Sequence, residues 1–410
     1  MNTDVVLFED HLLDRMNPVT LTRPAFSVTC GCYNLWQISH ILSSRVSHVV
    51  RDYLAPICRR DYPQTEPGSG PTLFLNASVA PDVRNVKKLR ELVEKGEPFL
   101  CTSGERVAAA LVPADVELPE EPAASQITPF LLNLGLPVHE DELFVTVDYP
   151  FEIVKYHPEL FPENLAHKLE AGEFQEVQPD VFAGDGVEVA DNAVFHTEEG
   201  PILLADGVKV LDFAYLQGPL YVGPNSKIIE RSSVKELTCV GHTCKVGGEV
   251  EESVIEPYSN KQHHGFLGHA YVGSWVNLGA GTSNSDLKNT YGEVRYRHKG
   301  RRVETGMQFL GCIIGDYTKS AINTSIFTGK VIGVASMLYG FVGKNVPSFT
   351  NYAKSFGQVT ECSLGQCIIT QRRMFGRRDV EQTEEDTELL KCVFEMTEEE
   401  RRISDEPPVF

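Results

Sequence analysis

The chain has 410 residues, 42% hydrophobic and 23% charged, with a formal net charge of −20 and a pI near 5.1. That length allows two or three independent cores, and the charge excludes a general nucleic-acid or anionic-membrane binder, whose polyanionic partner the long-range field would repel. No stretch approaches a transmembrane span, and the acid-bearing start MNTDVVLFEDHLLDRM does not resemble a secretory signal. The ten scattered cysteines read as reduced, buried thiols, so the expected location is cytoplasmic.

In chain order, VVLFE (5–9) reads as a buried strand and NLWQISHILSSR (34–45) as a helix. PTLFLN (71–76) reads as a second strand, and DVRNVKKLRELVEKG (82–96) as a helix ending on a Gly96 cap. This alternation predicts an α/β layer domain of Rossmann-like type. Loops rich in proline and acid (61–71, 117–125) interrupt it, and HPELFPENLAHKLEAGEF (157–174) reads as a linking helix.

A six-residue beat then begins. Leu204, Val210, Leu216, Val222, Ile228, Val234, Val240 and Val246 are consecutive sixth positions, and hexapeptide periodicity is the signature of a parallel β-helix. Three hexads close one triangular coil, so Leu204, Val222 and Val240 should stack in one interior column and Val210, Ile228 and Val246 in another. The beat breaks at Glu252 and resumes, shifted by two, with Phe266, Val272 and Leu278, then with Ile314, Ser320, Ile326, Ile332 and Leu338. Residues 251–265 and about 283–306 read as insertions that leave the stack as loops. The stretch 381–402 reads as a charged helical tail. The expected domains are therefore 1–180 (α/β with linking helix), 181–350 (β-helix) and 351–410 (C-terminal extension).

Set inside this solenoid, the run HHGFLGHAYVGSWVNLGAGT (263–282) resembles the acetyltransferase domain of the bifunctional UDP-N-acetylglucosamine pyrophosphorylase/glucosamine-1-phosphate acetyltransferase family. The whole chain more closely resembles its GlmU-like branch of sugar nucleotidyltransferases, through VTLTRP (19–24), KVGGEV (245–250), YSNKQHHGFLGH (258–269), NLGAGTSNSDLKN (277–289) and IGDYTKSAINTS (314–325). The resemblance implies a left-handed β-helix that forms a homotrimer, with acetyl-CoA and an amino-sugar phosphate bound between subunits. It places the base that deprotonates the sugar amine at His263, with His264 as its understudy. Imidazole titrates in the range such a base needs, and backbone NH groups or amide side chains can hold the oxyanion.

Asn277, Gly279, Gly281, Asn284 and Asn289 suit that second role, and Lys261, Asp286 and Lys288 join them as expected substrate-binding residues. Asp286 and Leu287 stand where the acetyltransferase family has an Asn-Tyr pair, a departure that allows an acceptor other than glucosamine-1-phosphate. Arg295 and Arg297, in the basic run RYRHKGRR (295–302), are candidates for a phosphate.

The N-terminal half lacks the glycine-rich GxGTRM-type loop of the familiar pyrophosphorylases. Asn76 occupies the place of their metal-binding aspartate, and Arg23 is the candidate for a nucleotide or sugar phosphate. Magnesium is the cofactor such a nucleotidyl transfer takes, although no residue here is assigned as a metal ligand. The expected function is acetyl transfer to an amino-sugar phosphate, nucleotidyl transfer to a sugar 1-phosphate, or both. Two alternatives stand beside it: a gamma-carbonic-anhydrase-like zinc enzyme using His242, His264 and His269, and an inactive trimeric ligand-binding scaffold.

Overall fold

The computed structural model describes residues 3–120, 122–139, 143–298 and 300–403, so Glu121 and Lys299, within segments named above, lie outside the described residues. The chain divides into two compact units, Met1–Tyr149 and Pro150–Phe410.

The first unit is a five-stranded sheet. Strands β1 (Asp4–Phe8), β2 (Val46–Val49) and β3 (Thr72–Asn76) run parallel; β5 (Arg106–Val112) pairs antiparallel with β3, and β4 (Phe99–Ser103) antiparallel with β5, giving the order β2-β1-β3-β5-β4. Helices α1 (Leu35–Leu42), α2 (Ala55–Asp61), α3 (Val83–Lys95) and α4 (Ala124–Asn133) accompany it. Local chemistry sets the helix limits. Asn34 and Gln37 form a reciprocal capping box at the start of α1, Asp82 accepts from the Arg84 NH at the start of α3, and Gly96 ends α3 at φ +68, where a β-carbon would be strained.

One buried acid organises the carboxyl ends of β1 and β2. Glu9, fully buried, accepts from the Arg51 Nε and backbone NH, each at 2.9 Å, and from the Ala25 NH at 2.9 Å. Arg51 in turn donates to the Thr20 carbonyl at 2.8 Å, so the VTLTRP loop is pinned across this edge. Glu9→Ala leaves that guanidinium without its counter-charge and is expected to cost about 3–5 kcal/mol, read as a lowered urea midpoint of the full chain.

The second unit opens with α5 (Pro150–Ala171) and continues as a three-sided coil of parallel strands. The interior columns are those the beat predicts: Leu204, Val222 and Val240 pair in register, as do Val210, Ile228 and Val246, and all six are at most 2% exposed. Each such side chain contributes about 1.5–3 kcal/mol by leaving water. Most corners take a left-handed residue at six-residue spacing, Gly207, Phe213, Asn225, Arg231, Leu237 and Thr243, with Pro219 interrupting the series, so the turns are regular without being uniformly glycine.

The expectation of an insertion at 251–265 is corrected. Residues 249–251, 254–255 and 260–261 are strands of the stack, and the coil shortens instead: Val240 pairs with Ile255 and Val246 with Lys261. The resumed beat is likewise displaced, because Leu267, not Phe266, pairs with Val250 and lies in the core. The second insertion leaves the stack only after Asn284, since Ser283 and Asn284 pair with Ser325 and Ile326, and it carries a hairpin of Arg295–His298 against Arg301–Glu304. The charged tail forms α7 (Glu384–Met396) and α8 (Glu398–Ile403), preceded by α6 (Leu364–Gly376), and it packs through buried Leu389, Leu390 and Val393 and an Arg401–Glu361 pair at 2.8 Å.

Candidate functional site

Coil geometry sorts the solenoid candidates by corner. The corner between the strands Asn260–Lys261 and Phe266–Gly268 carries His263 and His264, both exposed. The next coil brings Gly279 and Gly281 beneath it, the Gly281 NH donating to the His264 carbonyl at 2.9 Å. A β-carbon on Gly279 would lie 2.7 Å from Ala321 backbone atoms, and one on Gly281, at φ +75, 2.1 Å from Asn323 Oδ1. Gly279 is therefore required by close backbone approach, and Gly281 by its left-handed φ.

Lys261 breaks the aliphatic column from inside. Its Nζ donates to the Gly247 and His263 carbonyls, each at 2.8 Å, and burial pushes its pKa down to about 8. The buried ammonium thereby clasps the backbone of the histidine corner. Among the substrate-binding candidates it is a support rather than an exposed contact.

Asn284 is structural in its contacts. The third face of the coil interrupts its ladder between Phe266–Gly268 and Ser283–Asn284, and the buried Asn284 amide spans the gap, accepting from the Gly268 NH at 3.0 Å and donating to its carbonyl at 2.9 Å. Asn277 is exposed on another face and accepts from Asn260 Nδ2 at 3.3 Å. Lys288 donates to the Glu293 carbonyl, Asn289 lies in an exposed turn, and Arg295 and Arg297 stand exposed on the hairpin, where Glu304 lies 3.8 Å from Arg295. The corner thus unites His263, His264, Lys261, Gly279 and Gly281, and it does not gather Asn277 or Asn284 into the same contacts.

Asp286 belongs to a cluster that sequence reasoning missed. His269 Nδ1 lies 2.8 Å from Asp286 and its Nε2 3.3 Å from Glu252, and its ring stacks on Phe309 at 5.1 Å. Burial alone would lower the His269 pKa, but the two carboxylates outweigh it and raise it to about 9. Oxygens of Glu251 and Asp286 and a His269 nitrogen fall within 4.8 Å of one another, an arrangement with metal-ligand chemistry. Lys235, however, lies 3.1 Å from Glu251 and already neutralises it. The signal available in the sequence was spacing, since His269 and Asp286 are one coil of 17 residues apart.

Within one chain the three histidines of the zinc alternative do not converge. His242 lies against Tyr258 at 4.8 Å, on the Tyr258–Trp275 side of the coil, while His264 is at the glycine corner and His269 among carboxylates that engage both ring nitrogens.

In the first unit the carboxyl edge of the parallel strands is where ligands of open α/β sheets bind. Asn76 is fully buried there and every one of its polar positions is used: it donates to Asp10 at 2.9 Å and the Val107 carbonyl at 3.0 Å, and accepts from the Ser78 NH at 3.0 Å and hydroxyl at 2.7 Å. Arg106, 2% exposed, joins Asp10 to Asp148, at 2.6 Å from the latter, with its Nη2 buried and unpartnered. A guanidinium therefore stands between Asp10 and Asp148, and these residues do not fit a magnesium ion. Arg23 sits half-buried on the pinned loop.

An α/β sheet domain followed by a hexapeptide-repeat solenoid with a histidine-and-glycine corner is the class that this fold and site define. Residues 5–170 match the model of the sugar nucleotidyl transferase family. The chain is 31% identical over 161 residues to a bifunctional sugar-1-phosphate nucleotidylyltransferase/acetyltransferase of Sulfurisphaera tokodaii, which spans 39% of each chain. It is 29% identical over 118 residues to the bifunctional protein GlmU of Methanococcus vannielii, spanning 29% of this chain and 27% of that one. The chain thus covers well under half the length of these two relatives. Among solved structures it is similar to a UDP-N-acetylglucosamine acyltransferase of Francisella novicida, with a TM-score of 0.28 and 13% identity over 55% of this chain and 92% of that one.

Proposed function

We propose that the solenoid transfers an acetyl group from acetyl-CoA to the amine of an amino-sugar phosphate at the His263 corner, and that the chain serves nucleotide-sugar biosynthesis. The observation that carries this reading is an exposed histidine held on a corner whose backbone is clasped by buried Lys261 and closely approached by the Gly279–Gly281 coil. His263 takes the proton of the attacking amine. Acetyl-CoA supplies the activated acyl group.

The third face, adjoining this corner, exposes Phe327 and Phe341 at 51% and 64%. Apolar surface of that kind supports a homotrimer in which a second copy covers the face and completes the site. Ten thiols free of disulfides accord with a cytoplasmic protein, and no helix among the described residues is long and apolar enough to cross a membrane. A nucleotidyl transfer by the first unit is the family-level companion activity; its substrates would meet Arg23 at the sheet edge, and magnesium is given no ligands there. Release of free thiol from acetyl-CoA against a panel of amino-sugar phosphates tests the main reading: thiol release with at least one acceptor is expected, and its absence with all of them would contradict acetyl transfer.

A further inference from the structure

The second face of the solenoid carries lysines at eighteen-residue intervals, Lys209, Lys227 and Lys245, in register on adjacent strands. Lys209 is neutralised by Glu188 at 2.7 Å. Among the described residues, neither Lys227 nor Lys245 has a carboxylate within ion-pair distance, in a chain that holds twenty more acids than bases. The other lysines near the coil are satisfied differently: Lys235 by Glu249 and Glu251, and Lys319 by the Trp275 and Tyr317 carbonyls.

Two more cations close in from the end of α6. Arg378 is aimed by the Asn260 side chain at 2.9 Å, Asn260 being the residue paired with Lys245 on the next strand. Burial, together with the charges of Arg378, Lys227 and Arg377, pushes the Lys245 ammonium below its ordinary value. Like charges gathered without a counter-ion are unfavourable, and the fold nonetheless keeps them together while acids are abundant elsewhere.

We infer that Lys227, Lys245, Arg377 and Arg378 form a binding site for a diphosphate group. Two ammonium groups one strand spacing apart, about 4.8 Å, suit two linked phosphoryl groups, and guanidinium forks complement their oxygens. A small anion feels this local patch within a Debye length of about 8 Å, whereas an extended polyanion meets the negative remainder of the chain. The site goes beyond the acetyl-transfer reading and does not depend on it.

Titration calorimetry of the full chain with inorganic pyrophosphate at low salt tests it. Saturable binding is expected, weakened at least about tenfold (1.4 kcal/mol) in the double variant Lys227→Gln/Lys245→Gln and unchanged in Lys209→Gln, whose ammonium is already paired. The thermal midpoint of each variant, measured alongside, confirms that the coil is intact. ADP binding more tightly than pyrophosphate would support a nucleoside-borne diphosphate, and equal affinities a free one. No saturable heat up to about 10 mM pyrophosphate, or a double variant that binds like the parent, would overturn the proposal.

Discussion

His263→Ala is expected to lower acetyl transfer about 10²–10⁴-fold, the range over which a positioned general base acts, with the thermal midpoint unchanged. The stability half of that expectation follows from the contacts. His263 is exposed, and what the corner uses from it is the main-chain carbonyl that receives Lys261 Nζ at 2.8 Å, which alanine retains. His264→Ala should leave most activity, since its carbonyl bond to the Gly281 NH is likewise backbone. Steady-state rates for both variants check the assignment. The reverse pattern would move the base to His264, and undiminished turnover in both would remove histidine from the proton transfer.

The second large effect is a pH-dependent stability set by His269. Its pKa in the folded chain, about 9, lies above the ordinary value of 6.5. The charged form is thus favoured by folding: the stabilisation is fully present below about pH 6.5 and is lost as pH rises through 9. A shift of that size corresponds to about 3 kcal/mol. Lys261, lowered to about 8, and Lys319, lowered to about 7, act in the opposite sense, because the unfolded chain holds their protons at a pH where the folded chain releases them. The comparison of parent with His269→Gln isolates the histidine. The variant should be less stable at pH 6 by roughly that amount and converge on the parent near pH 10; a difference independent of pH would mean that the imidazole acts by packing alone.

The interior columns were legible because an inward side chain in a narrow coil has to be aliphatic wherever nothing compensates, and Leu204 through Val246 obey that without exception. The helix limits at Asn34, Asp82 and Gly96 were legible from local capping chemistry. What the chain concealed was any contact dependent on coil length. Once Val240 pairs with Ile255, fifteen residues on, a six-residue count no longer says which side chains are stacked, so a true coil resembles an insertion and the count falls on Phe266 instead of its inward neighbour Leu267. The His269 cluster and the Asn284 brace lie beyond that slip. The Lys209, Lys227, Lys245 column precedes it and was readable from spacing, but surface lysines carry no signal until their missing counter-charges are seen. In the first unit the absence of a glycine-rich loop was plain, whereas Arg106 bridging Asp10 and Asp148 joins positions far apart in the chain.

A crystal structure of the full chain grown with coenzyme A tests the central claim most directly. The account predicts the coenzyme thiol at the corner of the solenoid, within about 4 Å of the His263 imidazole and beside the Gly279–Gly281 turn, close enough for proton transfer directly or through one water. Coenzyme A bound with its thiol at another corner, or a corner that stays without it at saturating concentration, would contradict the account.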